Sequence, residues 1–192
     1  MYSIINLEEL IKSGKNLIFI HTPKCGGTYV GTILSYLKIE NKGHKLIKKN
    51  EEISFTVIRN PIERFESLLN YRLCDQIPRN DFPNELRHVY EDKNISLNEI
   101  VSKMSDSQIL GFTPYKTLTY WTTNVDVIIT IDELPKLLEL FGYTYDTAIF
   151  PKVNVSNKVR GRFNEETIDR LKTLYNDDIL LYNKVTQQDL NF

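Results

Sequence analysis

The run from His21 to Thr28 combines residue types that bind anions. Gly26 and Gly27 are adjacent, so backbone N–H groups can point at a charged ligand without obstruction from a Cβ atom. Lys24 adds a mobile positive charge, and Thr28 adds a hydroxyl. A helix that begins here would favour a negative ligand at its N-terminus. The run therefore predicts a phosphate-binding turn, and the alternative is a tight turn with a surface lysine.

A second group of polar residues follows the next apolar run of the chain. Arg59 comes directly after that run, and a helix capped by Asn60 would place Arg64 and Ser67 on one face. An arginine fork and a serine hydroxyl suit a second phosphate group. Alternatively, Arg64 pairs with a neighbouring glutamate at the surface.

The pattern around these residues predicts the elements that must hold them. Buried strands are predicted at Leu17–Ile20, Phe55–Ile58 and Val125–Ile131. Helices are predicted at 28–37, 61–73, 97–104, 132–141 and 164–185, with an irregular stretch at 75–93. This alternation predicts an α/β fold, namely a P-loop-like three-layer domain with a central, mainly parallel sheet flanked by helices. Ligands of such sheets bind beyond the carboxyl ends of the strands.

Length and composition narrow the class of protein. The 192 residues predict a single domain, 1–192, and 41% hydrophobic with 26% charged residues excludes a wholly disordered chain. A net charge of −1 argues against a nucleic-acid partner. Cys25 and Cys74 form no Cys-x-x-Cys pair, so no zinc knuckle is indicated. Without a signal-peptide pattern or a membrane-length apolar run, we expect a soluble protein with no membrane span, cytoplasmic or otherwise intracellular.

The first turn differs from the ATP-binding Walker A motif. That motif, G-x-x-x-x-G-K-[ST], has its lysine after the second glycine, whereas Lys24 precedes the glycine pair. A different phosphate-bearing cofactor is therefore favoured. The run Ile128–Asp132 could be mistaken for a Walker B strand, whose acid helps to hold magnesium. We interpret Asp132 instead as a helix cap, because residues typical of a first helical turn follow it.

Taken together, the two motifs resemble those of the sulfotransferases that use 3′-phosphoadenosine 5′-phosphosulfate (PAPS). The run Lys24–Thr28 is similar to that family's 5′-phosphosulfate loop. Arg59 and Ser67 are similar to its 3′-phosphate motif, and the interval between the motifs also fits. The chain looks most like the carbohydrate branch, which includes the heparan and chondroitin sulfotransferases. The resemblance is specific over the first 75 residues and fainter beyond them.

The resemblance implies a role for each residue of the first motif. The backbone amides of Cys25, Gly26 and Gly27, with the Thr28 hydroxyl, would hold the 5′-phosphate. Lys24 would neutralise charge on the bridging oxygen as the sulfuryl group leaves.

The resemblance also implies how the other end of the nucleotide is held. Arg59 and Ser67 would bind the 3′-phosphate that distinguishes PAPS from ATP, and Arg160 with Gly161 in a late loop would close over the same phosphate. No metal is implied, because a lysine and preorganised backbone donors stabilise the charge that develops during transfer.

An alcohol acceptor needs a general base, and histidine is the usual choice. His44 follows Gly43, and this pair resembles the Gly-His of the heparan 2-O-sulfotransferase group, in which the histidine is the base. The alternative is a surface histidine in a turn, with Glu63 or Glu66 as the next candidate bases. We expect His21 to order the phosphate turn from the strand end.

Two further features bear on the acceptor. The lysines around His44 predict either a solvated turn or a landing surface for an anionic glycan; they are Lys42, Lys45, Lys48 and Lys49. Three aromatic residues are candidates for a sugar-stacking wall or for core packing; they are Tyr115, Tyr120 and Trp121.

These observations predict a PAPS-dependent sulfotransferase that transfers sulfuryl to a hydroxyl, and the resemblance implies a carbohydrate acceptor. One alternative is a P-loop nucleotide-dependent kinase or other phosphotransferase that uses ATP with magnesium, in which Asp132 would matter. The other is a non-catalytic nucleotide-binding protein, against which the presence of both Lys24 and His44 argues.

Overall fold

Four parallel strands form one sheet in the order β2-β1-β3-β4. The strands are β1 (Leu17–Phe19), β2 (Glu40–Asn41), β3 (Ile53–Ile58) and β4 (Val127–Thr130). Phe19 of β1 is paired with Phe55 of β3, which is paired in turn with Val127 of β4. The sequence predicted β1, β3 and β4 to within three residues at each end. It missed β2, which is two exposed residues at the edge of the sheet.

The structure is a computed structural model that describes residues 12, 14, 16–46, 52–74, 92, 94–112, 116–150 and 161–187. Its helices are α1 (Gly27–Leu37), α2 (Pro61–Cys74), α3 (Leu97–Lys103), α4 (Asp106–Leu110), α5 (Leu118–Trp121), α6 (Leu134–Leu140), α7 (Glu165–Leu174) and α8 (Asn176–Gln187). A single 3₁₀ turn, Ile131–Glu133, precedes α6.

The chain divides into two compact units. The first comprises Met1–Arg59, Leu118–Val155 and Leu180–Phe192, and the second comprises Asn60–Thr117 and Ser156–Ile179. All four strands belong to the first unit. That the chain is a single domain stays a prediction.

In the first unit, helices α1 and α6 cover one face of the sheet. Apolar residues of α1 recur at helical spacing, so that Val30, Ile33 and Leu34 all point into one core. That core also contains Phe55 of β3 and Leu137 of α6. Burial of these side chains stabilises this layer.

The opposite face of the sheet has its own apolar cluster. Ile58 and Ile128 pack there with Leu118 of α5 and Val185 of α8. Successive strand residues point to opposite faces, so β3 buries all six of its residues between two helical layers. The predicted three-layer α/β arrangement, with a parallel sheet flanked by helices, is confirmed.

The second unit is helical in its described residues. Helices α2, α3 and α7 contribute Phe65, Ile100 and Leu171 to one buried cluster. Tyr175 joins this cluster and donates a hydrogen bond from its hydroxyl to the Ile109 carbonyl at 3.2 Å. Burial raises the pKa of Tyr175 well above its ordinary value. This residue therefore stays protonated and serves as a fixed donor in the core.

Of the two helix caps that the sequence predicts, one is confirmed and the other is wrong. The Asn60 side chain accepts hydrogen bonds from the amides of Ile62 and Glu63, at 3.0 and 3.3 Å, which confirms it as the cap of α2. The interpretation of Asp132 as a helix cap is wrong. Thr130 precedes the 3₁₀ turn as its cap and forms a capping box with Glu133, and Asp132 is exposed within the turn.

Two expectations concern other parts of the chain. The irregular stretch predicted at 75–93 lies outside the described residues except for residue 92. Among the helices that the structure describes, none has both the length and the apolarity needed to cross a bilayer.

Candidate functional site

The turn between β1 and α1 has an unusual backbone. Lys24 has φ of 63° and Gly26 has φ of 76°, so both lie in the left-handed region. A residue with a Cβ atom pays roughly 1–2 kcal/mol for this conformation, and such strain is typical of functional sites. Gly26 is the N-cap of α1, and its carbonyl accepts the amide of Val30 at 2.9 Å. Having no side chain, it cannot cap the helix with a side-chain acceptor.

The two glycines of this turn are required for different reasons. Gly26 needs its positive φ, and a Cβ atom there would also overlap Cδ1 of Ile131. Gly27 is not in the left-handed region, but a Cβ atom there would overlap Nε2 and Cε1 of His21. The imidazole of His21 therefore lies directly against the first residue of α1.

The other two predicted ligands in the turn differ in exposure. Thr28 is exposed in the first turn of α1. Cys25 is 2% exposed and packs in the cluster with Ile20 and Leu118. Its thiol therefore belongs to the core, and only its backbone amide remains a candidate ligand.

A buried pair of hydroxyls fixes the start of the turn. Thr56 on β3 donates its hydroxyl to the Ile20 carbonyl at 2.7 Å. Because that proton is used, the Thr22 hydroxyl donates to Thr56 Oγ1, at 2.8 Å. Both threonines are 0% exposed, so the bonds are shielded from competing water. The sequence analysis missed this pair, since the signal is a tertiary contact between two unremarkable threonines.

His44 reaches the same edge of the sheet through the segment that follows β2. The Lys42 amide donates to the Phe19 carbonyl at 2.9 Å, and the Gly43 carbonyl accepts the His21 amide at 3.1 Å. Gly43 turns the chain with φ of 67°. The imidazole of His44 is consequently stacked on that of His21, with ring centroids 4.2 Å apart.

The hydrogen bond of His44 determines which ring nitrogen can act as a base. Nδ1 of His44 lies 2.8 Å from the His21 carbonyl oxygen. A carbonyl can only accept, so Nδ1 carries the proton in this bond, and Nε2 keeps its lone pair in the neutral ring. His44 is exposed, as a base that must meet an acceptor hydroxyl requires.

His21 is protected from taking up a proton itself. Burial, with a smaller contribution from the charge of the adjacent His44, lowers the pKa of His21 to about 4. His21 is therefore neutral near pH 7, and of the two stacked rings His44 is the one suited to proton transfer.

Arg59 lies at the same edge, one strand away from the turn. It directly follows β3, which is hydrogen-bonded to β1, and the Ile20 amide donates to the Phe55 carbonyl at 2.9 Å. Phe19, the last residue of β1, is paired with Phe55, so the two strands end at the same edge of the sheet and β3 extends three residues further. Arg59 is half-buried.

In the part of the chain that the structure describes, nothing brings three predicted ligands of the 3′-phosphate to this turn. Ser67 is a half-buried residue of α2 in the second unit. Gly161 belongs to the second unit as well, is exposed, and has φ of 84°. Arg160 lies outside the described residues. Their assignments stay predictions.

The residues considered as alternatives have other positions. Arg64 is 6% exposed and donates from Nη2 to the Lys116 carbonyl at 2.9 Å, so it is a buried structural residue. Glu66 accepts a hydrogen bond from the Phe163 amide at 3.4 Å. Glu63 is exposed on α2.

The residues considered for the acceptor are partly described. Trp121 is 7% exposed and 5.9 Å from His44 between ring centroids, so it packs beside the histidine and offers no open face to a sugar. Tyr120 is half-buried and contacts Trp121 edge-on at 5.3 Å. Lys42 pairs with Glu40 at 2.7 Å, and Lys45 is exposed. The predictions for Tyr115, Lys48 and Lys49 fall outside the described residues.

Comparison with known proteins adds no relative. No protein-family profile matches the chain, and no curated protein matches it at a significant level.

Proposed function

We propose that this protein is a PAPS-dependent sulfotransferase whose active site lies at the carboxyl edge of the sheet. The observation that best supports the proposal is the contact between the turn and His44. A glycine-rich turn with two left-handed residues and a histidine with an available Nε2 meet through the 2.8 Å bond to the His21 carbonyl. Residues 21 and 44 are far apart in sequence, so this bond is a tertiary contact, and it brings the glycine-rich turn next to the histidine.

In the proposed reaction, the sulfuryl group moves in line from PAPS to an acceptor hydroxyl. Nε2 of His44 takes the hydroxyl proton as the new O–S bond forms, and the bond from sulfur to the bridging phosphate oxygen breaks. Lys24 neutralises the charge that develops on that oxygen. The products are a sulfate ester and 3′-phosphoadenosine 5′-phosphate (PAP).

The remaining candidate ligands in the first unit would bind the two phosphates of the nucleotide. The amides of Cys25, Gly26 and Gly27 would bind the 5′-phosphate beside the Thr28 hydroxyl. Arg59 would bind the 3′-phosphate from the neighbouring strand end. We propose a carbohydrate hydroxyl as the acceptor, and the exposed Lys45 next to His44 is compatible with an acidic glycan.

Thermal unfolding with different nucleotides tests the cofactor. PAP without magnesium, at about 100 times its Kd, should raise Tm by about 5–10 °C. ATP with magnesium should have a smaller effect, because it lacks the 3′-phosphate that Arg59 would bind. A larger shift with ATP and magnesium would overturn the proposal in favour of a kinase.

Transfer of radiolabelled sulfate from PAPS to a panel of glycans and simple alcohols tests the reaction. His44→Ala should reduce turnover by about 10²–10⁴-fold and leave PAP affinity unchanged. Lys38→Ala is the control, because it removes an exposed side chain at the far end of α1, to which no role is assigned. PAP binding without transfer to any acceptor, in the unmodified protein, would indicate a non-catalytic nucleotide-binding protein.

A further inference from the structure

The ring of His21 contacts both the phosphate turn and His44. Its imidazole fills the space next to the Gly27 Cα atom, where a Cβ atom would overlap it. The same ring is stacked on His44, with centroids 4.2 Å apart and planes 29° apart. It also contacts Phe19 at 6.0 Å, which anchors it to the sheet.

The backbone of His21 is fixed as firmly as its ring. Its amide donates to the Gly43 carbonyl at 3.1 Å, and its carbonyl accepts Nδ1–H of His44 at 2.8 Å. The two bonds tie this residue to the segment that carries His44. On the other side of His21, the buried hydroxyl of Thr22 is bonded to Thr56. His21 can therefore shift only if the turn or His44 shifts with it.

We propose that His21 is a positioning residue that sets the distance between the 5′-phosphate site and the base. Its ring spaces the first turn of α1 away from His44, and its carbonyl keeps His44 in the tautomer with a basic Nε2. This inference rests on the proposed sulfuryl transfer, since it concerns how the parts of that site are aligned.

The charge state of the pair agrees with this role. Burial lowers the pKa of His21 to about 4, so its ring stays uncharged when His44 takes up the acceptor proton. An uncharged neighbour does not repel the imidazolium that forms on His44.

Compensating substitutions test the contact with the turn. Gly27→Ala should weaken PAP binding by about 10–100-fold. The new methyl group and the His21 ring cannot both fit, so the turn would shift and lose a charge-assisted bond from its amides to the 5′-phosphate. The double variant His21→Ala/Gly27→Ala should bind PAP within about threefold of His21→Ala alone, since removal of the ring frees the space. Additive losses in the double variant would overturn the proposal.

Gly26→Ala provides the matched control for this experiment. Gly26 is required for its φ of 76° and for its approach to Ile131, and not for its distance from His21. His21→Ala should therefore fail to rescue Gly26→Ala. Rescue of both glycine variants would mean that His21→Ala merely loosens the turn, which would also contradict the proposal.

The unmodified protein and these variants separate failure of this inference from failure of the proposed function. If PAP binds to none of them, the proposed function is wrong. Their unfolding midpoints still report whether Gly27→Ala and His21→Ala compensate each other.

Nuclear magnetic resonance of ¹⁵N-labelled histidine tests the contact with the base. We expect His44 to carry its proton on Nδ1 in the unmodified protein, where the His21 carbonyl accepts it. His21→Ala keeps that carbonyl but removes the stacked ring that holds His44 against it, so His44 should become a mixture of tautomers. A purely structural role for His21 would leave the tautomer of His44 unchanged. The same tautomer ratio in both folded proteins would overturn the proposed role.

Discussion

The strand-to-helix turns after β1 and after β4 both lie at the carboxyl edge of the sheet. The turn after β4 closes on itself, because Glu133 Oε2 accepts both the amide and the hydroxyl of Thr130 at 2.5 and 2.9 Å. The turn after β1 has a glycine at the N-cap and left-handed residues at Lys24 and Gly26. The turn after β4 is thus capped by a carboxylate of its own chain. The turn after β1 has a glycine at this position, which lets a ligand approach the backbone closely.

The difference between the two turns supports the proposed anion site at the turn after β1. A capping carboxylate satisfies backbone donors and supplies the negative charge that a helix N-terminus favours. Glu133 does this after β4 and is 5% exposed, so the second turn is a stable structural element. The first turn has no such carboxylate cap and keeps one strained residue, Lys24, and strain of this kind is common at functional sites. We therefore expect substitutions at the two turns to separate activity from stability.

The largest effect should come from replacing the strained lysine of the first turn. Lys24→Gly should reduce sulfate transfer by about 10²–10³-fold, because the positive charge that would neutralise the bridging oxygen is lost. Its free energy of unfolding should rise by about 0.5–1 kcal/mol, because glycine adopts a positive φ without strain. Turnover and urea unfolding measure the two effects.

Lys38 gives a matched control for Lys24. It has φ of 56° at the other end of the same helix and is exposed. Lys38→Gly should gain similar stability and keep full transfer activity. Equal activity of Lys24→Gly and Lys38→Gly would contradict the role of Lys24.

The next largest effect concerns Arg59, at the strand end beside the first turn. Arg59→Ala should weaken PAP binding by about 10–100-fold, through loss of a charge-assisted pair with the 3′-phosphate. AMP lacks that phosphate, so its affinity should fall much less. Calorimetric titration with both nucleotides measures the ratio, and Lys136→Ala on the exposed side of α6 controls for loss of a surface charge. Equal losses for PAP and AMP would remove Arg59 from the 3′-phosphate site.

A substitution in the turn after β4 should affect the stability of the protein alone. Glu133→Ala should cost about 1–3 kcal/mol in the free energy of unfolding, because buried donors of Thr130 lose their acceptor. PAP affinity should stay unchanged. Asp132→Ala, in the exposed position next to it, should alter neither quantity. A loss of nucleotide binding in Asp132→Ala that depends on magnesium would revive the kinase alternative.

The smallest effect is a pH dependence that comes from the first turn. The pKa of His21 is about 4 in the folded protein and near 6.5 when unfolded. Between these values the unfolded chain binds more protons, so stability falls as pH decreases from about 6.5 towards 4. Because His21 is only half-buried, we expect a loss of about 1–2 kcal/mol. Urea unfolding at pH 7.5 and 4.5 should show less loss in His21→Asn, and an identical loss in both proteins would contradict the low pKa.

Much of the fold could be predicted because the buried strands are short, mainly apolar runs. β3 was recognised for this reason, and the cap at Asn60 for its local sequence. β2 was missed because its two exposed residues form a strand only through pairing with β1. Asp132 was misinterpreted although Thr130 and Glu133 have the T-x-x-E spacing of a capping box, which was the available signal.

Only the local motifs of the candidate site could be predicted from the sequence. The conformational need for glycine at position 26 follows from the turn sequence, but the need at position 27 comes from the His21 ring, which is a tertiary contact. The stacking of His44 on His21 depends likewise on the path of the chain after β2. The spacing of residues in the sequence does not predict tertiary contacts of this kind.

A crystal structure of the protein with PAP would test the central claim most directly. We expect the 5′-phosphate oxygens within about 3 Å of the amides of Gly26 and Gly27, and the guanidinium of Arg59 on the 3′-phosphate. A nucleotide bound elsewhere, with its phosphates away from the turn after β1, would contradict the account.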